Sequence, residues 1–162
     1  MGTLEDNMTI LHGDCLEKLK ELHDESVDMV MTSPPYWALR DYGVVGQLGL
    51  EPTFQEYINK LCDIFDEVKR VLKKEGTCWV NMGDTYGGTG SGQKDTGKHG
   101  YTPEVMATTK EKPQSKLQGK SLIQIPSRFG LEMTNPNWIL REDLLQSEKE
   151  YVMMELVKRG II

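Results

Sequence analysis

The sequence predicts an α/β fold with a mainly parallel sheet and helices on both faces. Two short apolar runs, "VDMVMT" (27–32) and "TCWVNMGD" (77–84), are typical of strands that are covered on both sides. Between them lies a long segment with the 3.6-residue apolar period of an amphipathic helix. A strand, a helix and a second strand in this order favour a right-handed crossover between parallel strands.

The first predicted elements lie in residues 8–32. The segment "MTILHGD" (8–14) has the pattern of a buried strand that enters a loop. Asp14 is then expected to begin a short helix, because Glu17 follows three positions later, as in a capping box. With the strand at 27–32, residues 8–84 are predicted to form strand, helix, strand, helix and strand.

The clearest helix is predicted to begin after Thr53, which forms a T-x-x-E start with Glu56. Two lysines and Gly76 indicate where it ends. Its apolar face is formed by Phe54, Tyr57, Ile58, Leu61, Phe65, Val68 and Leu72.

The second half of the chain is less regular. Residues 85–120 are rich in Gly, Thr and Lys and predict a flexible loop, because they carry too few large apolar side chains to stabilise an ordered structure. Residues 121–133 resume helical character, and "NWILREDLL" fits either a strand or a helix. The run "QSEKEYVMMELVKRG" predicts a helix with Val152, Met153, Leu156 and Val157 on one face and Gly160 as its cap. The final "II" resembles the start of a truncated strand, so residues 121–162 are predicted as a helical segment that runs into one.

Composition limits the classes of protein that fit. A chain of 162 residues fits one domain, and no run approaches the roughly 18 apolar residues of a membrane span. The three cysteines are scattered without metal-ligand spacing, which predicts reduced thiols in the cytoplasm and no metal site. The net charge of −6 is unlike that of a protein that binds nucleic-acid phosphates by itself. If the chain acts on nucleic acid, most of the basic residues that bind phosphate must lie outside it.

The stretch "TSPPYW" (32–37) is the main candidate for a functional site. Two prolines end the strand abruptly and fix the direction of their carbonyl groups. A serine hydroxyl and a fixed carbonyl can accept two hydrogens from a flat amino group, and an aromatic face beside them can stack on a planar ring. The set suits a nucleobase whose exocyclic amine reacts, and the alternative is an ordinary turn with its aromatic rings in the core.

The segment from "GDCLEKLK" through "TSPPYWALRDYG", followed by "LKKEGTCWVNMGDTY" and "KSLIQIPSRF", resembles the amino-methylating DNA methyltransferases of the β arrangement. The resemblance covers roughly residues 8–141. It implies a partial Rossmann-like methyltransferase fold, S-adenosylmethionine as methyl donor and double-stranded DNA as substrate. S-P-P-Y in place of D-P-P-Y leans toward methylation of cytosine N4, with adenine N6 as the alternative.

The resemblance also implies roles for individual residues. Ser33 and the Pro34 carbonyl are expected to bind the target amine, Pro35 to fix the turn, and Tyr36 to stack on a base flipped out of the duplex. Asp14 matches the acidic residue near the cofactor adenine, with a plain helix cap as its alternative role.

Three residues beyond the second proline are weaker candidates. Trp37, Arg40 and Asp41 are possible parts of the base pocket, against packing or salt-bridge roles in the loop.

The chain departs from the family in one respect that affects function. No F-x-G-x-G cofactor loop occurs in the sequence. Residues 1–162 are therefore expected to be an incomplete catalytic domain, inactive alone, that needs a complementary chain or a missing C-terminal region to carry the loop. Missing strands would leave an exposed sheet edge and allow self-association. The competing interpretation is a non-catalytic half-domain that binds a partner chain. The sequence leaves open whether a restriction partner exists.

Overall fold

A computed structural model of the protein describes residues 8–87, 120–135, 138–146 and 151–158. Helices and strands alternate in the first half, and two strands end the described chain. The elements are α1 (Cys15–Lys20), β1 (Val27–Thr32), α2 (Phe54–Val71), β2 (Leu72–Gly83), α3 (Ile125–Thr134), β3 (Trp138–Gln146) and β4 (Tyr151–Lys158).

The four strands form one sheet in the order β1-β2-β4-β3. The strands β1 and β2 are parallel and are connected through α2, as predicted. The pairs β2–β4 and β4–β3 are antiparallel, so the prediction of a mainly parallel sheet is wrong for the described strands. The short connection at 147–150 accounts for the antiparallel β3–β4 pair, because a parallel crossover needs a dozen or more residues.

The prediction of a helix over residues 146–160 is wrong, because Tyr151–Lys158 form the strand β4. This strand lies between β2 and β3 and pairs with both. Met154 and Leu156 are fully buried, whereas Met153 and Val157 are only half-buried on the opposite face. Apolar residues on both faces hide the two-residue period of a strand, and pairing on both edges overrides the local helical pattern.

The strand predicted at residues 8–14 is also absent from the structure. Residues 8–12 are exposed and belong to no helix or strand, with Met8 79% and Ile10 80% accessible. No neighbouring strand among the described residues pairs with this run, which leaves its apolar side chains uncovered. The helix predicted after it is confirmed, since Asp14 Oδ1 accepts hydrogen bonds from the amides of Leu16 and Glu17 and caps α1.

The hydrophobic core lies between the sheet and the helices α2 and α3. The predicted T-x-x-E start of α2 is present, with Thr53 Oγ1 accepting from the Glu56 amide at 3.2 Å. The rings of Phe65 in α2 and Phe129 in α3 pack edge to face at 5.1 Å. On β2 the side chains that face these helices are fully buried; they are Cys78, Val80 and Met82.

The opposite face of the sheet is only partly covered in the described part of the chain. On β1, Met29 and Met31 are 53% and 67% exposed. The prediction of helices on both faces is therefore not met there, because α2 and α3 both pack on the face that carries the core.

The two ends of the predicted 85–120 loop are paired with each other. Tyr86 forms a bridge with Leu122, and the Gly87 amide donates to the Ser121 carbonyl at 2.6 Å. Asp84, directly after β2, accepts from the amides of Gln124 and Ile125 and so joins β2 to the start of α3. The rest of the predicted loop, residues 88–119, lies outside the described residues.

Candidate functional site

Residues 33–37, "SPPYW", form a rigid bend directly after β1 and are called the corner. The bend lies at the carboxyl end of β1, beside the parallel strand β2. In open α/β sheets this end of the strands is where ligands gather. The corner is thus in the place where the sequence predicts a site.

The corner presents two hydroxyl groups to solvent. Ser33 Oγ and Tyr36 Oη lie 3.2 Å apart, within hydrogen-bond distance of each other. Both residues line a cleft of about 260 Å³, with Ser33 exposed and Tyr36 half-buried. The other residues that line the cleft are Pro34, Pro35, Leu39, Arg40 and Tyr42.

A buried tyrosine of α2 contacts the corner from the core side. Tyr57 Oη donates a hydrogen bond of 2.8 Å to the carbonyl oxygen of Pro35, and the Tyr57 side chain is fully buried. Burial raises the pKa of the Tyr57 hydroxyl well above its usual value of 10.0, and the nearby Glu51 and Tyr36 raise it further. Tyr57 therefore remains a neutral donor throughout the physiological pH range.

The buried carboxylate of Glu51 connects the following loop to α2. Its Oε2 accepts from the Gly49 amide at 2.8 Å, and its Oε1 lies 3.0 Å from Lys60 Nζ. The backbone carbonyl of Glu51 accepts from the indole Nε1 of Trp37 at 2.9 Å. Only 1% of the Glu51 side chain is exposed, so these contacts replace the hydration that the carboxylate lost.

Gly49 packs directly against the backbone of the corner. A Cβ at this position would lie 2.8 Å from the Tyr36 carbonyl oxygen, and Gly49 has a φ of +98°. Its own carbonyl accepts from the amide of Ala38, which also has a left-handed backbone with φ 58°. The close approach requires a residue without a side chain.

The weaker sequence candidates have different surroundings. Arg40 lines the cleft. Trp37 is 3% exposed and packs edge to face on Phe54, so it belongs to the core instead of the cleft, which is the packing alternative. Asp41 accepts from the Gly43 amide at 2.7 Å within the loop and does not line the cleft. Asp14 caps α1, and this structural role is the one its contacts show.

Four residues around the corner were not identified as site residues from the sequence. Leu39 and Tyr42 line the cleft, and Glu51 and Tyr57 hold the corner from inside. Tyr57 fits the apolar period of α2, so the sequence predicts only a core residue at this position. Glu51 gave no signal in the sequence, because an acid beside a helix start is usually solvated, and its burial is visible only in the structure.

Other kinds of site are not indicated by the described residues. No group of three or more His, Cys, Asp or Glu side chains in residues 8–87, 120–135, 138–146 and 151–158 is arranged to hold a metal ion. None of the helices in these ranges has the length and apolar character to cross a membrane. The three cysteines are free thiols, and burial raises the pKa of Cys62 to about 11 and of Cys78 to about 12.

Residues 27–154 match a protein family described as DNA methylase, which comprises N6 and N4 methyltransferases. The chain belongs to this family. The match includes β1, the corner and every later element up to the middle of β4. The resemblance noted from "TSPPYW" and the later motifs is thereby confirmed.

Curated relatives agree with this assignment, and solved structures share the fold. The chain is 41% identical over 150 residues to the Type II methyltransferase M.Cfr9I of Citrobacter freundii, which covers 93% of the chain and 49% of that relative. The cytosine-N4-specific PvuII DNA methyltransferase superposes with a TM-score of 0.54 at 22% identity, over 91% of the chain and 48% of that structure. A putative DNA modification methylase from Thermus thermophilus, solved in complex with S-adenosyl-L-methionine, gives 0.56 at 16% identity, over 93% of the chain and 53% of that structure.

These structural likenesses confirm the predicted Rossmann-like methyltransferase fold. The chain spans about half the length of the curated relative and of both solved structures.

Proposed function

We propose that the protein contributes the amine-binding half of a DNA methyltransferase that acts on the exocyclic N4 of a flipped cytosine. The observation that carries the proposal is the corner itself, in which Ser33 Oγ and Tyr36 Oη lie together in an open cleft at the carboxyl end of β1. The serine at the start of S-P-P-Y favours cytosine over adenine N6, on the strength of the family resemblance.

The corner suits an amino group because its polar atoms can accept hydrogens. Ser33 Oγ and the carbonyl oxygen of Pro34 are the two acceptors proposed for the NH₂ group, and the proline rings fix the carbonyl direction before any ligand arrives. The ring of Tyr36, half-buried at the rim of the cleft, is proposed to stack on the base. Arg40 and Tyr42 line the same cleft. Both are proposed to contact the base or its sugar and phosphate.

The cofactor side of the site is only partly represented in this chain. S-adenosylmethionine is the methyl donor proposed for the complete enzyme, and Asp14 is the one residue here proposed to lie near its adenine. The described residues do not fit the cofactor by themselves, since Asp14 Oδ1 is engaged by two amides of α1 and the sequence contains no F-x-G-x-G. We expect weak or no cofactor binding by the chain alone.

The missing half is proposed to come from additional polypeptide that carries F-x-G-x-G, in the same protein or in a second chain. In the described sheet β1 is an edge strand, and its methionines Met29 and Met31 are exposed on the uncovered face. Added strands would pair with such an edge and cover such a face. Self-association through β1 is the competing arrangement, and light scattering on the chain alone separates a monomer from a dimer.

Double-stranded DNA is the proposed substrate of the complete enzyme, with a restriction–modification role by analogy with the Type II relatives. The acidic balance of the chain is consistent with a phosphate grip supplied by the other half. A cytoplasmic location is proposed because all three cysteines are free thiols.

The test is co-expression of the chain with a segment that carries F-x-G-x-G, followed by mass spectrometry of the nucleosides from cellular DNA. The proposal predicts N4-methylcytosine, and its loss when Ser33 is changed to alanine. Formation of N6-methyladenine that depends on Ser33 would support the proposed site but make adenine the target base. Soluble assembly without any methylated nucleoside would favour the non-catalytic half-domain.

A further inference from the structure

The corner is held from its buried side by residues that do not reach the cleft. Tyr57 donates to the Pro35 carbonyl, Gly49 packs on the Tyr36 carbonyl, and Glu51 ties Gly49 to Lys60. We propose that Tyr57 and Glu51 are positioning residues for the target base, which act by fixing the peptide units on either side of Tyr36. This proposal rests on the proposed function of the corner.

The hydrogen bond from Tyr57 sets the orientation of one particular peptide plane. The carbonyl of Pro35 and the amide nitrogen of Tyr36 belong to the same planar unit. A donor on this carbonyl at 2.8 Å therefore fixes the direction in which the Tyr36 side chain leaves the backbone. Since the Tyr57 side chain is fully buried in α2, the donor itself cannot move without disturbing the core.

The contact at Gly49 restrains the next peptide unit. The site of a Cβ on Gly49 lies 2.8 Å from the Tyr36 carbonyl and 3.4 Å from that of Pro35, so the two backbones are in direct contact. The Gly49 carbonyl also accepts from the Ala38 amide at 2.7 Å. Tyr36 is thus restrained on both sides, by Tyr57 through Pro35 and by the loop that contains Gly49.

Glu51 keeps that loop in place and connects it to the same helix. Its carboxylate binds the Gly49 amide and Lys60, which lies one turn after Tyr57 on α2. Its carbonyl accepts from Trp37, the last residue of the corner. Both restraints on Tyr36 are therefore connected to α2, one through Tyr57 and the other through Lys60. A change in either is expected to alter the geometry of the cleft.

The experiment measures cytidine binding by the 162-residue chain with nuclear magnetic resonance, using the signals of Ser33 and Tyr36 and the carbonyl carbon of Pro35. Tyr57→Phe removes the hydroxyl and keeps the ring. We expect it to shift the Pro35 carbonyl signal and to weaken cytidine binding about fivefold to tenfold, the scale set by a buried acceptor without its donor. Thr134→Val is the control, because Thr134 Oγ1 also donates to a backbone carbonyl, that of Leu131, but at an exposed position in α3 that does not line the cleft.

A second pair of variants tests the role of Glu51 without replacing a buried residue. Lys60→Met removes the partner of the buried Glu51 carboxylate from a side chain that is itself 55% exposed. Lys73→Met removes an ion pair whose carboxylate, that of Asp28, is 82% exposed. Lys60→Met is expected to weaken cytidine binding about threefold, and Lys73→Met to leave it unchanged. The comparison of Lys60→Met with Lys73→Met tests the positioning role even if Tyr57→Phe fails to fold.

The outcomes separate the two levels of the account. Cytidine binding by the unmodified chain with equal binding by Tyr57→Phe and Lys60→Met overturns the positioning role and leaves the corner as a site. No cytidine binding by the unmodified chain overturns the proposed function, and the positioning role with it. Weaker binding in both variants, with normal binding in both controls, supports the proposal.

Discussion

Ser33 Oγ and Tyr36 Oη lie 3.2 Å apart at the mouth of the cleft, three residues from each other in the chain. The two intervening prolines limit the backbone conformations between these residues, because their φ angles are fixed. A hydroxyl and an aromatic ring are consequently presented together to the same ligand. This arrangement connects the proposed amine acceptor to the proposed stacking surface.

Ser33→Ala is predicted to abolish most of the methyl transfer without destabilising the fold. Loss of one polar contact to the reacting group is expected to lower the rate about a hundredfold in the co-expressed assembly, measured as radiolabelled methyl incorporated into DNA. Because Ser33 is exposed, the free energy of unfolding should change by less than about 0.5 kcal/mol. Ser26→Ala, which removes another exposed hydroxyl, serves as control; equal rates in the two variants would argue against a role for Ser33.

Gly49→Ala is predicted to destabilise the protein more than Gly46→Ala does. Both glycines have positive φ, at +98° and +80°, so both variants have a similar backbone cost of roughly 1 kcal/mol. Only at Gly49 does the new methyl group collide with the Tyr36 carbonyl, since nothing lies within 4 Å of the corresponding position at Gly46. Urea unfolding measures the difference. Equal unfolding midpoints would mean that the loop and the corner are not in contact.

Phe129→Ala is predicted to cost about 3–5 kcal/mol in unfolding free energy, because it leaves a cavity between α2 and α3 beside Phe65. Leu131→Ala in the same helix is the control. Its side chain is 68% exposed, so its loss should cost less than about 0.5 kcal/mol. A similar small effect of both changes would contradict the packing of α3 on α2.

Stability is predicted to fall in alkaline solution. Burial raises the pKa of Cys62 from 9.0 to about 11 and of Cys78 from 9.0 to about 12. Above pH 9.0 the unfolded chain loses these protons first, so the folded state binds more protons and stability decreases as pH rises toward 12. Tyr57 adds to the loss above its ordinary pKa of 10.0. Unfolding midpoints followed upward from about pH 8 should fall, and fall less steeply in Cys78→Ala; a flat profile would contradict the burial of the thiols.

The elements with strong local signals were predictable from the sequence. The helix α2 has both a capping residue, Thr53, and a continuous apolar face, and it begins where the sequence predicts. The same holds for α1, which begins directly after Asp14. The corner was predictable because two consecutive prolines leave few backbone conformations.

The remaining features depend on contacts that are distant in sequence. The strand β4 is determined by pairing with both β2 and β3, which no local period reveals. The burial of Trp37 depends on the Glu51 carbonyl, fourteen residues further on, which accepts from its indole. The contact between Tyr57 and Pro35 spans 22 residues, so the role of that tyrosine emerges only when α2 is placed beside the corner.

The most direct test of the account compares the binding of cytidine and uridine to the 162-residue chain. Binding is measured from the nuclear magnetic resonance signals of Ser33 and Tyr36. Both rings can stack on Tyr36, but only cytidine offers an amino group to Ser33 Oγ and the Pro34 carbonyl, whereas uridine places a carbonyl oxygen there. The account predicts that cytidine binds at the cleft at least about tenfold more tightly than uridine, because a mispaired acceptor is costly. Equal binding of the two nucleosides, or binding that does not perturb Ser33, would contradict the claim that the corner holds an exocyclic amine.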